Sequence, residues 1–281
     1  MYRLARRTAR KVLQRIGRRW PDERLLDEIE LLRSRINDLQ LVHNAAERDG
    51  DFVCLVPGTL EERRLYQSRF NMAWLDELRI SPKVVLDVGA YDGGDSIRFK
   101  YRFPDARVVA FEADPERHRI VSDNVAPFGI ICVNAAVCDR DAPVSWYQSH
   151  DGRFRDAGAG SQGSMYRHSP EYARRYDFVT QGAVPMSIEG VRIDTFCARA
   201  SVGEVDVAHI DAEGAEHDVV AGFGRILPKL VYVEAASFGG WIGARQPREL
   251  HRKLSSMGYA LAAELINDRL YVRADLVRLF G

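Results

Sequence analysis

From residue 84 onward, short apolar runs alternate with stretches whose apolar residues recur at helical spacing. The runs cover 84 to 88, 107 to 111, 130 to 133, 205 to 210 and 230 to 234, and each is bounded by turn residues. Strands of this length separated by helical segments predict parallel pairing through crossover helices, hence a doubly wound α/β sheet. Between the third and fourth runs lies an insertion at about 148 to 183, flanked by strand-like segments at 143 to 147 and 184 to 193. Its middle, "SHDGRFRDAGAGSQGSMYRHS", is polar and Gly-rich, as expected of a lid or an acceptor-binding element over an open sheet. A helix near 247 to 257 stops at Gly258, and "YALAAELINDRLYV" then reads as two strands around Asn267 and Asp268. The parallel sheet is thus predicted to end in an antiparallel hairpin.

Upstream the pattern differs. Leu25, Ile29, Leu32, Ile36 and Leu39 alternate steps of four and three, with Ile at a and Leu at d, which suits a parallel two-stranded coiled coil over 22 to 43. The same seam also serves a helix packed on its own domain. Residues 44 to 58 read as a linker, and Thr59 with Glu62 forms a capping box for a helix running to about Leu78. The division expected is 1 to 50 as a helical appendage and 51 to 281 as the globular domain.

Charge sharpens this division. The 40 basic and 40 acidic residues of the 281 cancel, which gives no general affinity for nucleic acid. Residues 1 to 20, however, hold eight Arg and Lys and no acid, leaving −8 on the remainder. Ala5, Ala9, Val12, Ile16 and Trp20 recur at helical spacing among those cations, so the arm is either a basic amphipathic helix for an anionic membrane surface or a solvated extension. Cys54, Cys132, Cys138 and Cys197 have no metal-ligand or disulfide-scaffold spacing. No apolar run approaches the roughly 18 residues that span a bilayer, and "PDERLLDEIE" follows the basic arm where a signal peptide would be apolar. The expectation is a cytoplasmic protein, in surface contact with membrane if the arm is the amphipathic helix and free of it if the arm is a solvated extension.

The first strand ends in "DVGAYDGG", residues 87 to 94, at the position where an open α/β sheet cradles its ligand. A dinucleotide loop needs glycine at its second position, where the backbone touches pyrophosphate, and Tyr91 stands there. Asp87 and Asp92 would further repel a phosphate. A cationic, phosphate-free ligand fits this loop, and S-adenosyl-L-methionine is the common cofactor of that description. Glu112, 25 residues after Asp87, ends the second strand where an acid accepts bonds from ribose hydroxyls.

The motifs DVGAYDG, AFEADP, NAAV, IDAEGAE and YVEA occur in the order and approximate spacing of the FkbM family of S-adenosylmethionine-dependent methyltransferases, which this sequence resembles over residues 80 to 240. The resemblance implies a class I methyltransferase (Rossmann-like) fold and O-methylation, often of sugar hydroxyls in glycans or natural products. It implies cofactor contacts from Asp87, Gly89, Gly93 and Glu112. Ala90 and Tyr91 in the same loop, Ala136 in NAAV, and Asp211 are expected beside them. Tyr91 replaces the usual Asn of the family, and His209 the usual Lys before Ile-Asp.

For chemistry, Asp211 and Glu234 end the fourth and fifth strands and could take the acceptor proton or hold a divalent metal; the metal-free base is favoured because no compact ligand cluster is visible. His209 is a third catalytic candidate, or else a hydrogen-bonded core residue. Glu213 and Glu216 are expected in the first turn of the next helix, stabilised by its dipole, and Glu213 with His217 has the spacing of a metal pair. Phe238 and Trp241 could form an apolar wall for a sugar face. Two other functions stay open: a nicotinamide-dependent oxidoreductase, disfavoured by Tyr91 and the terminal hairpin, and a non-catalytic cofactor-binding scaffold recruited by its coiled coil.

Overall fold

The computed structural model describes residues 54–55, 64–66, 68–152, 160–235, 239–265 and 267–277. The basic arm, the heptad seam and Phe238 lie outside the described residues.

Seven strands form the central sheet: β1 Val84–Val88, β2 Arg107–Glu112, β3 Ile131–Asn134, β4 Val207–Ile210, β5 Leu230–Glu234, β6 Tyr259–Glu264 and β7 Asp268–Arg273. Their order across the sheet is β6-β7-β5-β4-β1-β2-β3. The first five are parallel, and β7 runs antiparallel to both β5 and β6. The apolar runs are unbroken because both faces of the sheet are covered. Within each strand successive side chains enter opposite cores: Val85, Val207 and Leu230 pack with Phe70, Trp74 and Phe99, whereas Leu86, Ala208 and Val231 pack with Ile193, Phe223 and Leu250. Strand order reverses between β1 and β4, and a crevice opens at the carboxyl ends of these strands.

Among the helices, Gly94–Arg102 follows β1, Pro115–Val125 follows β2 and Pro247–Ser256 precedes β6. The second is capped by Asp114, whose Oδ1 accepts from the Glu116 and Arg117 amides at 2.9 and 3.3 Å, with Pro115 opening the first turn. The expected hairpin is present, but Asp268 already belongs to β7, and the turn falls one residue earlier than the Asn-Asp pair indicated.

The expected helix from Thr59 to Leu78 is not formed over its described length. Arg64–Leu65 pairs as a short antiparallel strand with Cys54–Leu55, and helix is confined to Ala73–Glu77. Thr59 and Glu62 lie outside the described residues; farther along, the Tyr66 amide donates to Asp92 Oδ2 at 2.8 Å and the Ser68 amide to Asp95 Oδ2 at 2.7 Å. These bonds hold the segment along the loop after β1, placing Tyr66 at the crevice and Ser68 in the polar chain beneath it.

The insertion has structure of its own. Pro143–Trp146 pairs antiparallel with Met186–Val191, and Ser149–Asp151 with Val179–Gln181, while Pro170–Arg175 is helical.

Candidate functional site

A cavity of about 590 Å³ occupies the crevice, lined by the loops after β1 and β2, the ends of β4 and β5, and the insertion. Of the ten residues expected at the ligand or in the chemistry, all but Gly93 line it. Gly93 instead caps the helix after β1 in a left-handed conformation, φ +86°, with its α-carbon facing Val125. Tyr91 also has positive φ, +55°, unusual for a residue with a side chain. Its amide donates to Glu112 Oε2 at 3.0 Å, and the Asp114 amide donates to Oε1 at 2.9 Å. Burial pushes the Glu112 carboxyl up to about 7 against the pull of these two amides. The Arg117 guanidinium lies over the Tyr91 ring, 4.6 Å from its centroid.

The floor is a buried polar chain. Asp87 Oδ1 contacts His209 Nδ1 at 2.9 Å, and Asp87 Oδ2 accepts from Ser96 Oγ at 2.5 Å. His209 Nε2 contacts Ser68 Oγ at 2.9 Å, and Ser68 Oγ donates to Asp95 Oδ1 at 3.0 Å.

At the ends of β4 and β5, Asp211, Glu213 and Glu234 bring one carboxylate oxygen each within 4.8 Å of one another. The expectation that Glu213 belongs to the following helix is corrected: that helix begins at Glu216, and Glu213 sits in the preceding turn with φ +49°, next to Gly214 at +97°. The turn points Glu213 at Asp211 and Glu234 rather than pairing it with His217. Three half-buried carboxylates this close do not all ionise. Burial, reinforced by Asp211, raises Glu213 and Glu234 well above the usual carboxylate range. Burial lifts Asp211 only to about 6, because the His209 charge and a bond from Glu234 favour its ionised form. Protons shared among the three satisfy this spacing, as a cation would. Asp211 Oδ1 is enclosed and has no hydrogen-bond partner.

The insertion closes the opposite end with apolar surface. Trp146 packs with Ala113, Ala136, Ile188 and Met165, and its Nε1 donates to Asp114 Oδ2 at 3.4 Å. A side chain at Gly163 would begin 2.7 Å from the Trp146 ring, so the glycine lets the loop lie flat on the indole. Ser164 Oγ donates to the Glu213 carbonyl at 2.6 Å, tying the insertion to the acidic turn. These residues were not foreseen, since nothing in local spacing tells Trp146 from any aromatic ending a strand. The wall expected from Trp241 is corrected, because Trp241 packs on Gly214 and Tyr172 outside the main cavity. His168 likewise stacks on Tyr172 and bonds the Gln162 carbonyl.

Such a cavity selects a ligand that is cationic where the acids converge, carries hydroxyls for Glu112 and has a flat apolar part for Trp146. The family model described as Methyltransferase FkbM domain matches residues 87–261. The 2-O-methyltransferase NoeI of Sinorhizobium fredii (strain NBRC 101917 / NGR234) is 30% identical over 152 residues, covering 53% of this chain. The match spans 61% of that relative's length, less than two thirds of it. Among solved structures, precorrin-6y C5,15-methyltransferase from Geobacter metallireducens GS-15 aligns with TM-score 0.39 and 14% identity over 70% of this chain and 82% of that one. The putative methyltransferase YhhF from Escherichia coli aligns with TM-score 0.38 and 15% identity, over 72% and 80% respectively.

Proposed function

The chain belongs to the FkbM family of methyltransferases, and on that premise we propose that it methylates a hydroxyl oxygen of a glycan, glycolipid or glycosylated small molecule, using S-adenosyl-L-methionine. The observation that carries this reading is the unpartnered Asp211 Oδ1 at the end of β4, beside a ligand cavity lined with carboxylates. The relative named as a 2-O-methyltransferase supports oxygen as the acceptor atom.

The residues fit the cofactor. Its ammonium and sulfonium suit the acidic floor, its ribose diol suits Glu112, and its base suits the slot of Ala113, Ala136 and Trp146. When bound, it supplies an electrophilic methyl group. The chain must then hold the acceptor oxygen in line, keep water out and take its proton. Positioning gives much of the rate, and the insertion, with Trp146 and Met165 over the cavity, serves exclusion. Asp211 takes the proton, and Glu234, whose carboxyl burial raises well above the usual range, donates to Asp211 and fixes its orientation. A divalent metal at the three acids is the second arrangement, and it is not favoured.

Residues 51 to 281 constitute the methyltransferase domain in this reading, and residues 1 to 50 serve attachment, to a membrane surface or to a second copy. Among the described residues no helix is long and apolar enough to cross a membrane.

The test is calorimetry with S-adenosylhomocysteine and NAD, followed by methyl transfer from labelled donor to a panel of glycans and glycosides. Selective S-adenosylhomocysteine binding with transfer to oxygen is the expected result. Comparable NAD binding would support the oxidoreductase reading, and binding without transfer to any acceptor would favour a scaffold.

A further inference from the structure

His209 sits in the middle of β4, 3% exposed, opposite Asp87 on β1 and Tyr232 on β5. Its protonation follows from counting hydrogens. Asp87 receives Ser96 Oγ on one oxygen and faces His209 Nδ1 with the other, so Nδ1 must donate. Ser68 Oγ has a single hydrogen, and it goes to Asp95, a carboxylate that also accepts the Ser68 amide and lies 3.4 Å from the Arg98 guanidinium. The same Oγ accepts from the Phe70 amide at 3.3 Å. Its contact with His209 Nε2 is therefore a bond that Nε2 donates. Giving every contact one proton makes both ring nitrogens donors.

We propose that His209 is a positioning residue protonated at neutral pH, an imidazolium clamped between Asp87 and Asp95 that holds Asp87 oriented beneath the methyl donor. It is not the base: neither nitrogen has a lone pair to accept a proton. What Asp87 faces rests on the methyl-donor reading, whereas the protonation state does not.

The charged and titratable groups around the ring are Asp87 from β1, Asp95 from the helix after it, Asp211 from β4, Asp268 from β7 and Tyr232 stacked flat at 5.3 Å. Burial alone would strip the proton, but Asp95 and Asp87 overcome it and hold the imidazole at about 9. Asp95 shares its charge between His209 and Arg98, whereas Asp87 has its ion pair with His209, so removing the imidazolium leaves Asp87 as unpaired buried charge. A lysine at the same position would supply the same positive charge.

The experiment uses the full chain with nitrogen-15 histidine. At about pH 7.5 the histidine signal that disappears in His209→Gln should have both ring nitrogens in the protonated range, whereas an ordinary histidine would be neutral there. His209→Gln should weaken S-adenosylhomocysteine binding by roughly tenfold or more, as loss of one partner of a buried charge pair does. His209→Lys should restore most of that affinity, a rescue that a purely steric role would not give. A neutral imidazole pattern in the wild-type chain, or Gln binding as well as His, overturns the proposal. If His209→Gln does not fold, the wild-type spectrum and the Lys variant still decide it. A wild-type chain that binds no S-adenosylhomocysteine sinks the methyl-donor reading and leaves the protonation test standing.

Discussion

Gly89 lies so close to the main chain of Asp211 that a β-carbon on it would fall 1.7 Å from the Asp211 carbonyl oxygen. This contact joins the ligand loop after β1 to the acidic end of β4, and it is open only to glycine, which also adopts φ +82° without strain. Gly89→Ala should destabilise the fold by about 3 kcal/mol, from overpacking and left-handed strain together, and should abolish ligand binding. Gly203→Ala, with open space around its α-carbon, should stay within about 0.5 kcal/mol. Urea denaturation of the two variants checks this, and equal effects would mean the contact relaxes.

Glu112 should make ligand binding pH-dependent. Its buried carboxyl is pushed up to about 7, and only the ionised form offers both oxygens as acceptors to the two hydroxyls of a ribose diol. S-adenosylhomocysteine affinity should therefore fall as pH drops below about 7, approaching tenfold per unit when one proton must leave. Glu112→Gln should flatten that dependence. It should also weaken binding at every pH, because an amide cannot accept from both the Tyr91 and Asp114 amides without turning a donor toward one of them. Calorimetry across pH measures both effects, and a flat wild-type profile would contradict the assignment.

His209 gives stability a pH window of opposite sense. Its folded-state value, about 9, lies above the value of about 6.5 expected when unfolded. The contribution is complete below the unfolded value and is lost as pH rises through the folded one. The stability difference between wild type and His209→Gln should shrink across that interval by up to about 1.4 kcal/mol per pH unit. Denaturation at a series of pH values reads it, and a constant difference would show that the charge contributes nothing.

The sheet was legible in the sequence because a strand covered on both faces must be apolar throughout, and five such runs stand out between helical segments. Val84–Val88 and Leu230–Glu234 fall where the runs predicted them. The loop "DVGAYDGG" and Glu112 were legible for a related reason: glycines and acids at strand ends are local signals. Tyr66, Ser68 and Asp95 were not, since their places at the site depend on hydrogen bonds across 26 or more positions, which local spacing does not reveal. Glu213 was misplaced because helical spacing cannot reveal that its φ is +49°. Trp146 reaches the cavity only through the fold of the insertion.

The acid cluster decides how the acceptor oxygen loses its proton. Burial and the neighbouring Asp211 raise Glu234 and Glu213 well above the usual carboxylate range, so they hold their protons more tightly, while Asp211 is lifted only to about 6. On the proposed function Asp211 is the cluster's base, and kcat/KM should rise through about pH 6 on its acidic limb. Asp211→Asn should cut turnover by roughly 10²-fold or more, within the range of general-base loss, with much less effect on S-adenosylhomocysteine affinity. Glu234→Gln keeps a donor toward Asp211 and should preserve the limb, whereas Glu234→Ala removes the donor and should move it to higher pH. Chelators should change little. If activity vanishes with chelator and returns with added Mg²⁺, the three carboxylates bind a metal that acidifies the hydroxyl. If Asp211→Asn instead turns over normally with and without chelator, Asp211 has no part in the reaction, and Glu213 or Glu234 must take the proton.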